Sequence, residues 1–167
     1  YVDAVSWAYE SGITLGTSAS TFSPTDGCTR AQVVTFLWRA SGSPEPDGTV
    51  ANPFTDVSEN DYYYEAVLWA YENGITKGTS DTTFSPTQTC TRAQVISFLY
   101  RLADSPEGSD GDENPFSDVG ENAYYLDAVI WAVANGVTSG TSETTFSPDS
   151  TCTRAQIVTF LYRAANK

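Results

Sequence analysis

The chain has 167 residues, 40% of them hydrophobic and 13% aromatic, which is enough apolar content for a folded protein rather than an acidic disordered tail. Its 21 Asp and Glu outnumber 8 Lys and Arg for a net charge of −13, so nucleic acid is excluded as a partner and adsorption to anionic membranes is disfavoured. Histidine, the commonest general base and metal ligand, is absent, and no apolar run approaches the roughly 20 residues of a membrane-spanning helix.

Internal repetition dominates the sequence. Trp7, Trp69 and Trp131 are spaced by 62 residues, and so are Gly12, Gly74 and Gly136, then Gly16, Gly78 and Gly140, then Phe22, Phe84 and Phe146, then Cys28, Cys90 and Cys152. Three units follow, with no insertion between these landmarks. The first unit, 1–41, starts at Tyr1, which aligns with Tyr63. NPFTDV (52–57) and NPFSDV (114–119) introduce the second and third units, and the expectation is a parent protein that extends N-terminally and supplies the matching segment. CTRAQVVTFL (28–37) opens a helix in which Thr29 is the N-cap and Gln32 the N3 partner of a capping box. SGSPEPDGTVANP (41–53) reads as an exposed linker.

The second unit, 52–103, shows the anatomy best. YYYEAVLWAYENG (62–74) predicts a helix with Tyr63, Ala66, Val67 and Ala70 on one face, capped by Asn60 or Asp61 and ended by a left-handed Gly74 with Ile75 packing back. ITKGTSDTTFSP is too short and too rich in turn formers for another helix and reads as a compact loop with a few strand-like residues. Thr91 and Gln94 then repeat the capping box ahead of a helix whose buried stripe is Val95, Phe98, Leu99 and Leu102. ADSPEGSDGDENP (103–115) is a second linker, and the acidic stretch 104–118 lacks the spacing of a calcium loop. The third unit, 114–167, repeats the second, with Thr153 and Gln156 as its box.

The expected fold class is mainly α: three tandem helix–loop–helix repeats with short loops or minor β structure between the helices. Two short helices per unit cannot bury their faces alone, so the units must pack on one another, either as a compact pseudo-threefold assembly or as an open solenoid.

The capping boxes place Arg30, Arg92 and Arg154 at N1, the helix end that disfavours cations. Arg39, Arg101 and Arg163 sit at the favourable C-terminal end. Two readings of the N1 arginine stand side by side. One is a salt bridge to a neighbouring carboxylate such as Asp56 or Asp118. The other is an anion site where guanidinium and helix amides converge on a carboxylate or phosphate. Buried free thiols are the default for the three cysteines; a disulfide would leave one over, and a three-thiolate metal site rests on symmetry alone. The tryptophans read as core, and the pairs Tyr62/Tyr63 and Tyr124/Tyr125 as walls of a groove that could stack on sugar rings. No nucleophile–base pair, phosphate loop or Cys/His cluster is visible, so neither enzyme activity nor a cofactor or metal is expected.

FTDVSENDYYYEAVLWAYENGITKGTSDTTFSPTQTCTRAQVISFLYR (54–101) resembles the S-layer homology motif: Phe-x-Asp-Val, an aromatic-led helix, Gly-Ile, Gly, a loop ending Phe-x-Pro, then Thr-Arg-Ala-Glu and a second helix. Three copies cover nearly the whole chain. The resemblance implies pseudo-threefold packing of the motifs and an extracellular place at the bacterial cell wall or surface layer. It also implies non-covalent anchoring to a secondary cell-wall polysaccharide bearing pyruvylated N-acetylmannosamine, bound in grooves between motifs. Carried over by motif position, the ligand-binding residues are Arg30, Arg92 and Arg154, the backbone at Gly16, Gly78 and Gly140, and Tyr62 and Tyr124. Here glutamine (Gln32, Gln94, Gln156) replaces the motif's glutamate, cysteine its preceding Ile or Leu, and tyrosine its helix-leading Trp. An adhesin or host-protein binder on the same scaffold is the alternative, with surface-layer subunits or host proteins meeting regions outside this chain. A glycosidase-like carboxylate pair is the weakest reading.

Overall fold

The computed structural model describes residues 1–107 and 113–166, so part of the acidic linker reading (108–112) lies outside the described residues. Six helices succeed one another: α1 (Val2–Glu10), α2 (Arg30–Ala40), α3 (Tyr64–Glu72), α4 (Arg92–Leu102), α5 (Leu126–Ala134) and α6 (Arg154–Ala165). No β-strand is found among the described residues, only isolated bridges. The first helix of each motif packs on the second helix of the motif before it: α3 on α2, α5 on α4, and α1 on α6. That last contact closes a ring, so the packing is compact and pseudo-threefold rather than an open solenoid.

The helix ends form where the sequence places them, with one exception. All three capping boxes are made: Gln94 N donates to Thr91 Oγ1 at 3.3 Å and Thr91 N donates to Gln94 Oε1 at 3.1 Å, with the same pairs at Thr29/Gln32 and Thr153/Gln156. Gly74 takes a φ of 68°, and Ile75, buried behind it, donates to Ala70 O at 2.8 Å. The start of α3 differs from expectation. Neither Asn60 nor Asp61 caps it; Tyr63 is the N-cap residue without a side-chain bond, and Asp61 Oδ2 accepts from Ser58 N at 2.8 Å in the preceding turn.

The threefold axis runs through the segment just before each capping box. Cys28 N donates to Cys152 O, Cys90 N to Cys28 O, and Cys152 N to Cys90 O, each at 2.9 Å, a closed circle of three backbone hydrogen bonds. Gly27, Thr89 and Thr151 share one repeat position at this axis, where a Cβ on Gly27 would lie 2.8 Å from the Thr151 methyl. Two threonines fill the space beside Gly27. In the second helices Val33, Val95 and Ile157 share one repeat position and are fully buried, and α2 also touches α6. Trp69 and Trp131 are buried and Trp7 partly so, in keeping with a core role.

The three cysteines are free and buried, and no grouping of them suited to a metal ion occurs among the described residues. Burial pushes the Cys28 thiol up to about 12 and Cys90 to about 11, and raises Cys152 as well. A thiol whose folded pKa exceeds its unfolded value stabilises fully below the unfolded value, near 8.5, and loses that contribution as pH rises toward the folded value. Each should therefore cost about 1.4 kcal/mol per pH unit above roughly pH 9. Thermal melts should be level from pH 7 to 8 and fall steeply by pH 10, and a Cys90→Ala variant should show a shallower decline. Equal slopes for the two proteins would contradict this.

Candidate functional site

Each site is built where three motifs meet. The guanidinium at N1 does not face solvent: Arg30, Arg92 and Arg154 are each only 3% exposed. Arg30 leaves the first motif and enters the second, where Nε donates to Phe84 O at 2.8 Å. Its guanidinium lies 4.9 Å from the Phe84 ring centre and 5.4 Å from that of Phe98. Arg92 does the same in the third motif with Phe146 O, Phe146 and Phe160, and Arg154 in the first with Phe22 O, Phe22 and Phe36. Each arginine is thus a cross-motif bolt stacked on two phenylalanines, an arrangement that planar guanidinium suits and lysine does not.

The salt-bridge reading of this arginine needs correction, and the anion-site reading loses the helix amides it relied on. Its side-chain hydrogen bond goes to a carbonyl, not to Asp56 or Asp118. Those carboxylates instead accept the amides of Phe84 and Ser85, and of Phe146 and Ser147, at 2.8 Å each, and so shape the loop that supplies the carbonyl. The helix amides, for their part, are already taken. Arg30 N donates to Gln88 O and Ala31 N to Pro86 O, with matching bonds at Arg92/Ala93 and Arg154/Ala155, and the capping threonine holds the N3 amide. The outer edge of the guanidinium is less firmly held. Its second nitrogen reaches Thr76 Oγ1 only at 3.5 Å from Arg30 and Thr14 Oγ1 at 3.4 Å from Arg154. In Arg92 that nitrogen is buried without a hydrogen bond. Burial pulls the Arg30 and Arg92 pKa values below the ordinary arginine value, with the Cys90 thiol beside Arg30 and the Cys152 thiol beside Arg92 opposing the shift.

Two grooves open beside these arginines. The Tyr124 groove, about 410 Å³, draws Arg30 from the first motif, Thr76 to Thr79 and Gln88 from the second motif's loop, Gln94, Ser97, Phe98 and Arg101 from α4, and Tyr124 from the third motif. The Tyr62 groove, about 220 Å³, is its counterpart one motif earlier: Arg154, Thr14 to Gly16, Gln32, Thr35, Phe36, Arg39 and Tyr62. The predicted residues Arg30, Gly78 and Tyr124 thus come together, as do Arg154, Gly16 and Tyr62. Arg92 and Gly140 belong to the third repeat of the arrangement. Tyr62 and Tyr124 are 63% and 68% exposed, and each stands edge-to-face with the next tyrosine at 5.0 Å between ring centres. They offer an open aromatic face at the groove rim.

The glycines are there for backbone reasons. Gly78 has a φ of 83°, its N donates to Thr76 Oγ1 at 3.1 Å, and a Cβ would lie 2.5 Å from both Thr83 O and the Phe54 ring. Gly140 is enclosed in the same way by Thr145 O and Phe116. Gly16 is closed by Thr21 O and Ser18 O like its counterparts but meets no phenylalanine ring, and it lines an open cleft of about 300 Å³ with Val5, Tyr9 and Phe22 among others.

Sequence reasoning missed the second cation of each groove. Arg39 and Arg101 line the grooves, anchored by bonds to Ile13 O at 3.2 Å and Ile75 O at 3.1 Å within their own motifs, and Arg163 makes the matching bond to Val137 O at 3.4 Å. A signal existed: Gln94, Ser97 and Arg101 fall at i, i+3 and i+7, a polar stripe on an otherwise apolar helix.

The S-layer homology domain profile matches residues 1–34, 53–96 and 115–158, the three motifs seen in the fold. An endoglucanase of Bacillus sp. (strain KSM-635) is 31% identical over 95% of this chain and 17% of its own length. The surface-layer 125 kDa protein of Lysinibacillus sphaericus is 31% identical over 91% of this chain and 13% of its own. A cellulosome-anchoring protein of Acetivibrio thermocellus is 24% identical over 87% and 34%. The chain spans less than a fifth of the length of the first two.

Proposed function

The chain belongs to the S-layer homology domain family, and from that premise we propose that it anchors a larger protein by holding an anionic, pyruvylated secondary cell-wall polysaccharide in its inter-motif grooves. It is a module of the extracellular bacterial surface, at the cell wall or surface layer. The observation that carries the proposal is where the few cations lie. In a chain of net charge −13, Arg30, Arg101 and Lys77 meet in one groove, and Arg154 and Arg39 in another. An acidic protein that gathers five of its eight cationic side chains in two clefts rimmed by tyrosine is suited to an acidic sugar.

In this reading the ketal carboxylate sits against the groove-lining edge of Arg30 or Arg154 and the half-buried guanidinium of Arg101 or Arg39. The sugar ring lies on Tyr124 or Tyr62, and the loop backbone around Gly78 or Gly16 closes the third side. Charge and aromatic stacking act together, so binding should weaken at high salt without vanishing.

The test avoids the buried arginines. Arg39 and Arg101 are half-buried at helix ends, so a double Arg39→Ala, Arg101→Ala variant should melt close to wild type. It should bind purified pyruvylated wall polymer at least tenfold more weakly, the size expected for losing one charge-assisted contact per groove. Wild-type binding by a folded double variant would overturn the proposal.

A further inference from the structure

One groove-lining position is cationic in a single motif. Residues 15, 77 and 139 are equivalent, each just before the turn glycine, and they are Leu, Lys and Ser. Lys77 is exposed and lines the Tyr124 groove with Arg30 and Arg101, so three of the chain's eight cationic side chains converge on one cavity of about 410 Å³. No carboxylate is among the described residues lining it. The Tyr62 groove, about 220 Å³, has two cations, Arg154 and Arg39, and puts Leu15, 70% exposed, where the lysine would be.

We infer that this position grades the grooves: Lys77 makes the Tyr124 groove the tighter seat for an anionic sugar, and Leu15 makes the Tyr62 groove the weaker one. The inference rests on the anchoring function proposed above. The physical difference is one mobile ammonium on a flexible stem added to two guanidinium groups held by backbone carbonyls. A solvent-exposed ion pair of this kind strengthens binding about two- to fivefold and is screened by salt. Leucine offers contact only to an apolar substituent and none to charge. A polymer strand would then load the Tyr124 groove first, and the second contact would follow at the raised effective concentration of a tethered ligand.

The experiment is an NMR titration of the full chain at low salt with a pyruvyl-ketal N-acetylmannosamine glycoside as the probe. Wild type, Lys77→Leu and Leu15→Lys are compared, each groove followed through its own tyrosine. In wild type, Tyr124 should saturate before Tyr62. Lys77→Leu should weaken the Tyr124 groove two- to fivefold and leave the Tyr62 groove unchanged. Leu15→Lys should tighten the Tyr62 groove by a similar factor. Binding with the same constants in all three proteins overturns the grading and leaves the anchoring function intact. No binding to wild type overturns both.

Discussion

Arg30→Ala should lower the melting temperature by roughly 5–15 °C, because the buried guanidinium joins the first motif to the second. The substitution leaves the Phe84 carbonyl without its 2.8 Å donor and opens a gap between the Phe84 and Phe98 rings. A buried acceptor left unsatisfied costs about 1–3 kcal/mol. Two cation–π contacts add about 0.5–2 kcal/mol each. Relief from burying a charge, seen in the lowered Arg30 pKa, offsets part of this. A net loss of about 2–4 kcal/mol remains, and in a domain of this size 1 kcal/mol moves the midpoint by about 2–4 °C. Arg101→Ala, which removes a half-buried groove residue, should move it by no more than about 3 °C. Thermal melts of the two variants decide the matter: equal midpoints would mean the N1 arginine has no structural role. It follows that loss of wall binding by Arg30→Ala alone cannot separate a ligand contact from a loosened ring, whereas Arg39 and Arg101 can.

Gly78→Ala should be at least as damaging, and Gly74→Ala provides the control. Both glycines have positive φ, 83° and 68°, so alanine pays the left-handed backbone cost of about 1–2 kcal/mol at either. At Gly74 nothing lies within 4 Å of the added carbon. At Gly78 it would meet Thr83 O and the Phe54 ring at 2.5 Å and Ser80 O at 2.7 Å. Two of those are backbone atoms of the same tight loop, and the third is a buried ring packed on Tyr71 and Phe84. Forcing them apart should bring the total to about 3–5 kcal/mol, in the range of strong overpacking. The loop is also the floor of the Tyr124 groove, so binding there should fall with stability. Urea melts giving the two glycine variants equal midpoints would refute the steric argument.

Much of the fold was legible because its signals are local. Thr-x-x-Gln is a complete capping box, and Gly-Ile after a periodic helix is a complete stop. Both are written within a few residues and form as read. The ring was legible only through family resemblance, because closing α1 on α6 joins residues more than 140 positions apart and no periodicity within one motif encodes it. The site was half legible. An arginine at N1 was correctly singled out as a charge that helix stability does not explain, but its partners, Phe84 and Phe98, lie in the next motif. The amides thought free for an anion are taken by Gln88 and Pro86, also in the next motif. Asp56 looked like an ion-pair partner and instead organises a turn. Arg39 and Arg101 were read as dipole partners because their position satisfied that rule. Only the groove, which needs three motifs assembled, shows their outward edges.

The most direct measurement is co-sedimentation of the chain with purified cell-wall sacculi, intact and after mild acid removal of the pyruvyl ketals. Retention on intact sacculi, its loss after ketal removal, and its loss in the folded Arg39→Ala, Arg101→Ala variant are the expected results. Equal retention on both preparations would contradict an anionic sugar as the ligand of these grooves.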